Sequence, residues 1–238
     1  MTIGSFNASV KQIEVLLKIF NLFRQKGIKS INNDGVSDDF KRASQKSDYF
    51  SAYKTAISNY DFDFLLYDQS FFQFEFKNKS NGCPDVRYAF FQNPQEYKSY
   101  EQYLDSLRQE GNLQETNEQV GDIFKEEYEQ YLIEKQINLT STSIRFDVDF
   151  NNYKPHVHSV AHIHVGHQNN IRIPCNKIIT PYKFVLFVLK HIYYHSWKEM
   201  IESENQELQR SLSNAKTVCL NLDDKKWTLN EERELFIS

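Results

Sequence analysis

The sequence predicts a single α+β domain over residues 1–238, with a largely antiparallel meander sheet packed by an N-terminal helix and by a long helix that follows a histidine-rich strand. Three observations predict this fold class. Two regions, at about 62–91 and about 143–175, alternate between apolar and polar residues with the period of a β-strand. The segments before and after them space their apolar residues as helices do. A chain of 238 residues, 40% of them hydrophobic and 25% charged, is long enough to bury such a core.

The first half of the chain is predicted to have helices on both sides of its β region. Ser9 and Gln12 form a capping-box pattern before apolar residues at helical spacing, and Gly27 is expected to end that helix. The polar residues 28–48 are expected to be irregular. After them we expect a short helix at 49–58, strands at 62–67, 71–77 and 86–91, a helix at 94–110 and an acidic helix at 118–136.

The second half is predicted to combine short strands with one long helix. Pro181 favours the first turn of this helix, which we expect to pass Trp197 and to end at about residue 212. Thr228 and Glu231 form a second capping-box pattern before a short C-terminal helix. The strands that we expect are at 143–150, 156–166, 171–175 and 217–222.

The composition excludes several classes of site and points to one segment. The seven glycines are too far apart for a dinucleotide-binding G-x-G-x-x-G loop, a Walker A loop or a G-x-S-x-G nucleophile elbow. The formal net charge of -4 does not by itself favour nucleic acid as a ligand. Residues 139–198, however, contain seven Lys/Arg against two Asp/Glu, as well as all seven histidines. The functional site is therefore expected in that segment.

The cysteines and the hydropathy pattern predict a cellular location. Cys83, Cys175 and Cys219 are far apart and form no C-x-x-C pair, which is typical of reduced thiols in a cytoplasmic protein. The longest apolar run, residues 184–189, is too short to span a bilayer, and no signal-peptide pattern opens the chain. We therefore expect a cytoplasmic protein that does not associate with a membrane.

The second β region places an unusual set of polar residues on one face of the sheet. In its first strand the even positions are apolar, and the odd positions include Arg145 and Asp147. An unbroken strand over 156–166 would present four histidines on a single face. The link 151–155 suits a hairpin, which would place these histidines beside the first strand, and Arg172 could join from the next strand. The four histidines are His156, His158, His162 and His164.

Two kinds of chemistry fit such a face. Two imidazoles of an H-x-H strand can converge on one metal ion, with Asp147 completing a Zn²⁺ or Mn²⁺ site. Without a metal, one histidine accepts a proton and another donates one, while Arg145 or Arg172 stabilises a phosphorane, as in ribonucleases. The candidate metal ligands among the histidines are His156, His158, His162 and His164. The candidate catalytic residues are His158, His162, His164, Asp147, Arg145 and Arg172.

Other interpretations of the same residues are open. The polar face of an antiparallel sheet is often only solvated. The spacing of His162, His164 and His167 also resembles that of a histidine-triad nucleotide hydrolase, from which it departs by one residue. His191 and His195 lie four residues apart on the predicted long helix, where they either border the core or reach the same site.

Three short motifs follow one another in the second β region, namely R-F-D at 145–147, H-S-x-x-H-x-H-x-G at 158–166 and R-I-P at 172–174. Gln73-Phe74 and Arg87-Tyr88-x-Phe90 of the first β region belong to the same pattern. With these motifs the chain resembles an uncharacterised bacterial domain-of-unknown-function family over most of its length. That resemblance implies no established activity. The R-F-D and histidine motifs are also similar, more loosely, to small proteins of bacterial toxin–antitoxin pairs, which implies RNA cleavage or a role in phage defence.

These observations together predict an intracellular phosphodiesterase of RNase-like mechanism, related to toxins or to phage defence. The basic segment and exposed aromatic residues such as Tyr153 suit single-stranded RNA as the substrate. The alternative is a non-catalytic subunit of a defence or toxin–antitoxin system that binds a protein partner from the same operon. In that alternative the histidine face is an interface or a structural metal site.

Overall fold

A seven-stranded sheet in which every neighbouring pair is antiparallel organises the larger part of the fold. In this computed structural model the strands cross the sheet in chain order, so the predicted antiparallel meander is confirmed. The strands of this sheet are β1 (Phe23–Lys26), β2 (Phe64–Leu66), β3 (Phe71–Asn78), β4 (Pro84–Phe91), β5 (Ser143–Val148), β6 (Ala161–Val165) and β7 (Arg172–Cys175). Two further strands, β8 (Lys177–Ile178) and β9 (Leu220–Asn221), form a separate small sheet.

Nine helices lie among the residues that the structure describes, which are 1–27, 35–46, 48–78, 84–94, 100–109, 124–138, 142–167, 171–203 and 206–235. They are α1 (Ile3–Ile19), α2 (Asp38–Ser44), α3 (Tyr49–Ser58), α4 (Tyr100–Gln109), α5 (Lys125–Asn138), α6 (Pro181–Ile192), α7 (Tyr194–Glu202), α8 (Gln206–Thr217) and α9 (Leu229–Leu235). The chain divides into two compact units, Met1–Asn93 with Thr142–Ser238, and Pro94–Ser141. The first unit has the predicted α+β class, and the second contains α4 and α5.

The two faces of the seven-stranded sheet contribute to different cores. On one face, alternate residues of β3 (Phe72, Phe74 and Phe76) pack with α1 and α6 in the main core. On the other face, one end of the central strands packs against α2 and α3 in a smaller core. This smaller core includes Phe40, Tyr53, Phe71, Ala89 and Phe91. Beyond it, the second face continues to the polar residues of β4, β5 and β6, which form the candidate site.

The N-terminal helix begins earlier than predicted. Thr2 is its N-cap, since the Thr2 hydroxyl accepts a hydrogen bond of 3.2 Å from the backbone N–H of Ser5. The Ser5 hydroxyl in turn accepts one of 3.0 Å from the Thr2 N–H, so a reciprocal capping box precedes the one that the sequence indicated. Ser9, the predicted N-cap, therefore lies inside the helix.

The same helix also ends earlier than predicted. Its last residue is Ile19, and Asn21 adopts a left-handed backbone with φ 54°, which turns the chain into β1. Gly27, the predicted helix end, instead follows β1. A Cβ atom at this position would lie 1.5 Å from the carbonyl oxygen of Phe62, so the close approach of the two backbones requires a glycine.

Ser9, the predicted N-cap of α1, serves the N-terminus of a different helix. It is buried within α1, and its hydroxyl oxygen accepts a hydrogen bond of 2.9 Å from the backbone N–H of Tyr182. Tyr182 lies in the first turn of α6, where backbone N–H groups have no acceptor within the helix. Ser9 thus joins the two helices that cover the main core.

We expect Ser9→Ala to lower the free energy of unfolding by about 1 kcal/mol, because it removes the acceptor of the Tyr182 N–H. Alanine has the higher helix propensity, so this loss could not arise within α1 itself. Gln12→Ala is the matched control, since Gln12 is exposed and would matter only as part of a capping box. Urea unfolding of both variants checks the prediction. A Ser9→Ala protein as stable as the wild type would contradict it.

The predicted strand over 156–166 is shorter in the structure, where only Ala161–Val165 forms β6. The residues before it form a turn in which Lys154 and His158 exchange backbone hydrogen bonds of 2.8 and 3.0 Å. His156 within this turn has a left-handed backbone with φ 62°, which is incompatible with an extended strand. The four histidines therefore do not share one unbroken strand.

The hairpin between β5 and β6 is correspondingly wider than predicted. The predicted link was 151–155, whereas the strands are joined by residues 149–160, and the Asp149 N–H donates to the Val160 carbonyl at 2.8 Å. The strand alternation that the sequence indicated holds for His162 and His164, which lie within β6.

The predicted long helix after Pro181 is divided into three. Thr180 caps α6 and Pro181 occupies its first turn, as predicted. The helix ends at Ile192 because the Tyr193 backbone, at φ -103° and ψ 45°, leaves the helical region. The Tyr193 hydroxyl donates a hydrogen bond of 2.8 Å to Asp68 Oδ2, which holds this break against the β2–β3 turn.

The remaining differences from prediction are smaller. Part of the segment 28–48, predicted as irregular, is α2, whose N-cap Ser37 accepts a hydrogen bond from the Phe40 N–H. Residues 28–34, 47 and Cys83 lie outside the described part of the chain. None of the helices in the described residues has the length and the apolar content that a membrane crossing requires.

Candidate functional site

Asp147 lies at the centre of the polar sheet face, between two arginines. Its carboxylate is largely buried, with 12% of the side chain exposed. Arg87 Nε on β4 donates to Oδ1 at 3.1 Å, and Arg145 Nε on β5 donates to Oδ2 at 2.7 Å. The register explains both contacts, since Arg87 is the cross-strand partner of Asp147, and Arg145 lies two residues away on the same face. The two arginines thereby fix the orientation of the carboxylate.

Two histidines of β6 face this carboxylate from the neighbouring strand. His162 is paired with Asp147 and His164 with Arg145, so all four side chains share one face. Both imidazoles are buried, with 3% and 8% of each residue exposed. His164 Nε2 lies 3.5 Å from Asp147 Oδ2. The ring centroids of His162 and His164 are 4.8 Å apart. The predicted proximity of Asp147 to an imidazole is confirmed.

A contact with the backbone determines which ring nitrogen of His162 carries the hydrogen. Its Nδ1 lies 2.9 Å from the carbonyl oxygen of Ser159, and because a carbonyl can only accept, Nδ1 is the nitrogen that carries the hydrogen. The Nε2 of the neutral ring then keeps its lone pair. Histidines that bind metals usually have this arrangement, in which the other ring nitrogen donates to a carbonyl or a carboxylate.

Both strand histidines are neutral near pH 7. Burial lowers the pKa of His162, and the hydrogen bond to Ser159 offsets only part of this effect. Burial, followed by the positive charge of Arg145, lowers the pKa of His164 to about 4, although Asp147 acts in the opposite direction. Neutral imidazoles can bind a metal ion or accept a proton. They do not provide the positive charge that binds an anion.

Asp147, His162 and His164 form a group of ligand atoms that could hold a metal ion. Each residue offers one donor atom, and the three atoms lie within 4.8 Å of one another. Two ligand atoms of a tetrahedral zinc ion are about 3.3 Å apart at the usual bond lengths. The 3.5 Å between His164 Nε2 and Asp147 Oδ2 is close to that separation. Three protein donors would leave a further position open for water or a substrate.

His158 lies beside this group without belonging to it. Its ring centroid is 4.9 Å from that of His162, and the turn with Lys154 holds its backbone. Its Nδ1 is buried and has no hydrogen-bond partner among the residues that the structure describes. A buried imidazole nitrogen with no protein partner, next to a metal-binding group, is suited to carrying a proton.

The other predicted site residues lie further out. His156 is exposed, and its side chain is not part of the metal-binding group. Its backbone N–H donates a hydrogen bond to Glu231 Oε1 at 3.4 Å. Arg172 is exposed on β7 and is the cross-strand partner of His164. Tyr153, expected to be an exposed stacking surface, is half-buried, and its hydroxyl donates to Glu231 Oε2 at 2.8 Å.

The remaining histidines have other surroundings. His167 Nε2 donates to the carbonyl of Lys46 at 2.9 Å. His191 packs on Phe187 of its own helix, with ring centroids 4.5 Å apart. The interpretation of His191 as a residue at the border of the core fits this contact, and it is not part of the metal-binding group in the described residues.

The family model of the uncharacterized conserved protein (DUF2290) matches residues 17–235, which is most of the chain. The chain belongs to this family. The expected membership of a domain-of-unknown-function family is therefore confirmed, while the similarity to toxin–antitoxin proteins stays a prediction. Neither the curated proteins nor the solved structures include a match to the chain. The range that matches DUF2290 contains every residue of the candidate site.

One member of the site in this DUF2290 protein, Arg87, was not among the predicted site residues, although it belongs to the motifs on which the family resemblance rests. The residue lies in the first predicted β region, some sixty positions before Asp147, and nothing in the spacing links the two. A signal was nevertheless available. Arg87 has an apolar residue on each side, Val86 and Tyr88, so its strand has a core face and a polar face. Pairing the two β regions edge to edge would have placed Arg87 on the face of Asp147, as the observed register does.

Proposed function

We propose that this chain is a metal-dependent phosphodiesterase that hydrolyses single-stranded RNA. The observation that carries the proposal is the buried group formed by Asp147, His162 and His164, whose donor atoms lie within 4.8 Å of one another. A carboxylate and two imidazoles buried together on a sheet face serve no packing purpose that apolar side chains would not serve better. Their burial is understandable if they bind an ion.

The donor set suits Zn²⁺ or Mn²⁺. Both ions accept imidazole nitrogens and carboxylate oxygens, and zinc sites with three protein ligands of these types are typical of hydrolases. The fixed Nδ1–H of His162 directs its Nε2 lone pair away from the backbone, as ligation requires. A bound ion would polarise a phosphoryl oxygen and lower the pKa of a coordinated water, which is the chemistry that phosphodiester hydrolysis near neutral pH needs.

Three arginines supply positive charge for the phosphodiester. Arg87 and Arg145 each use Nε for Asp147, while 60% and 42% of their side chains remain exposed. Their terminal N–H groups therefore remain accessible to a phosphate oxygen. Arg172 is exposed on the next strand, opposite His164. Because both buried histidines are neutral, these guanidinium groups, together with a bound ion, would supply the positive charge that stabilises the transition state.

His158 is the proton carrier in the proposed reaction. Hydrolysis forms a bond between a water oxygen and phosphorus and breaks the bond between phosphorus and the leaving ribose oxygen. The water transfers one proton to the half-buried imidazole of His158, whose ring lies beside that of His162, and His158 then transfers that proton to the leaving oxygen. One molecule of water is consumed for each bond that is cleaved.

The test compares metal-free and metal-loaded protein. The protein is treated with a chelator, dialysed, and reloaded with Zn²⁺ or Mn²⁺, and each sample is incubated with a fluorescently labelled single-stranded RNA. We expect about one ion to bind per chain and cleavage only in a reloaded sample. Equal cleavage in the chelated sample would contradict the role of the metal and favour acid–base chemistry without it. Stoichiometric metal without cleavage would contradict the enzymatic function and favour a partner-binding subunit with a structural metal site.

A further inference from the structure

We infer that Glu231 is a positioning residue, which holds the 149–160 connection so that His158 and the carbonyl of Ser159 lie against the metal-binding group. The inference rests on the proposed function for its catalytic meaning, although the positioning itself can be measured without any metal. Glu231 lies in the first turn of α9, near the end of the described chain, and the residue is completely buried, with 0% exposed.

The hydrogen bonds of Glu231 exceed what a helix cap needs. The capping box predicted from the sequence is present, because the Thr228 N–H donates to Glu231 Oε2 at 2.9 Å and the Thr228 hydroxyl oxygen accepts from the Glu231 N–H at 3.2 Å. Two further donors come from the connection between β5 and β6. The Tyr153 hydroxyl donates to Oε2 at 2.8 Å, and the His156 N–H points to Oε1 at 3.4 Å.

Because the Glu231 carboxylate is buried, these long-range hydrogen bonds are needed to stabilise its charge. Capping boxes usually lie at the surface, and a carboxylate taken out of water is tolerated only when several donors replace the water. Burial and the neighbouring Glu231 raise the pKa of Tyr153 to about 12, so the tyrosine hydroxyl keeps its proton and remains a donor. Glu231 is thereby tied to the connection at two points, on each side of Lys154.

The turn that begins at Lys154, between these two points, ends at His158. The Lys154 N–H donates to the His158 carbonyl at 3.0 Å, and the His158 N–H donates to the Lys154 carbonyl at 2.8 Å. Fixing Tyr153 and His156 therefore fixes the backbone of His158, whose ring lies 4.9 Å from that of His162. The left-handed backbone of His156, which costs free energy in a residue other than glycine, is held in place by the same contacts.

The same turn also determines which ring nitrogen of His162, a proposed metal ligand, carries the hydrogen. Ser159 directly follows His158, and its carbonyl accepts the Nδ1–H of His162 at 2.9 Å. A shift of the connection would move this acceptor and release the His162 ring from its orientation. Loss of such an outer hydrogen bond typically lowers metal affinity about 10- to 100-fold. Glu231 therefore acts on the site through His158 and Ser159, without contacting the ion.

The experiment uses Glu231→Gln, with Glu232→Gln as the matched control. Glutamine keeps the size of the side chain but replaces one acceptor oxygen with a donor, so at least one of the bonds to the connection is lost. Glu232 is the next residue of the same helix and is exposed. For both variants the imidazole signals of His158 and His162 are recorded by NMR in metal-free protein, and Co²⁺ affinity is recorded from its visible absorption.

We expect Glu231→Gln to shift the signals of His158 and His162 but not those of His191, and to lower Co²⁺ affinity at least tenfold, while Glu232→Gln resembles the wild type. Unchanged imidazole signals in Glu231→Gln, even with a lower melting temperature, would overturn the inference and leave Glu231 as a helix cap. If Glu231→Gln does not fold, Tyr153→Phe must shift the His158 signal, or the inference fails. Wild-type protein that binds no Co²⁺ refutes the proposed function, whereas the NMR result still decides the positioning.

Discussion

Replacing both His162 and His164 with alanine is expected to abolish metal binding, with the affinity for Zn²⁺ falling by more than about a thousandfold. Two of the three donor atoms disappear, and the remaining Asp147 carboxylate already accepts hydrogen bonds from Arg87 and Arg145. Zinc sites in proteins derive on the order of 10 kcal/mol from their full ligand set, so the loss of two ligands removes most of that free energy. RNA cleavage should fall to the level of chelated protein.

The control for this substitution is the pair His191→Ala and His195→Ala. It removes the same number of imidazoles, from helices outside the metal-binding group of the described residues. Isothermal titration with Zn²⁺ on the two double variants measures the difference directly. If the His162/His164 variant retained wild-type affinity, the metal would have to bind elsewhere and the site would be wrong. Circular dichroism of each variant establishes that the fold is kept.

Metal-free protein is expected to lose roughly 2 kcal/mol of stability between pH 7 and pH 4 through His164, since each unit of pKa difference corresponds to about 1.4 kcal/mol and solvent screens part of the shift. Burial and Arg145 lower the pKa of His164 to about 4 in the folded protein, whereas an unfolded chain has the ordinary value near 6.5. Between these values the unfolded chain binds a proton that the folded protein does not. The contribution is therefore complete above about pH 6.5 and is lost as the pH falls through 4.

This pH dependence is measured by urea unfolding in the presence of a chelator at pH 7.0, 5.5 and 4.5. Wild-type protein is compared with His164→Gln, which removes the titrating group, and with His195→Gln, which removes an exposed one. The loss between pH 7 and pH 4.5 should be smaller in His164→Gln than in the other two proteins. Identical slopes in all three would show that His164 titrates normally in the folded state.

Sequence alternation predicted the centre of the site because that part of the chain is regular. Arg145, Asp147, His162 and His164 all lie within strands, where side chains point to alternate faces without exception. Two strands paired in an antiparallel hairpin then have one possible common polar face. The same regularity made the meander predictable, since every pair of neighbouring strands in the sheet is also consecutive in the chain.

The failures lie where tertiary contacts override the local pattern. His156 leaves the strand conformation in a turn that Glu231 holds from another part of the chain, and the local spacing does not indicate this contact. Tyr193 interrupts a helical pattern without a glycine or a proline, because its hydroxyl bonds to Asp68 and its ring packs on Phe90. Ser9 looks like the N-cap of its own helix in the sequence, but its hydroxyl oxygen accepts a backbone N–H from the first turn of a helix that begins far along the chain.

The placement of the three donors in one hairpin has a consequence for the order in which the protein assembles. Asp147, His162 and His164 all lie in β5 and β6, which meet by closing a short local loop. Arg87 precedes Asp147 by 60 residues in the sequence, so bringing the two together costs more chain entropy. Local contacts form first during folding, so the ligands should be gathered before the arginine arrives. A metal ion that binds at this stage would then stabilise the hairpin of β5 and β6 in its native register before the core forms.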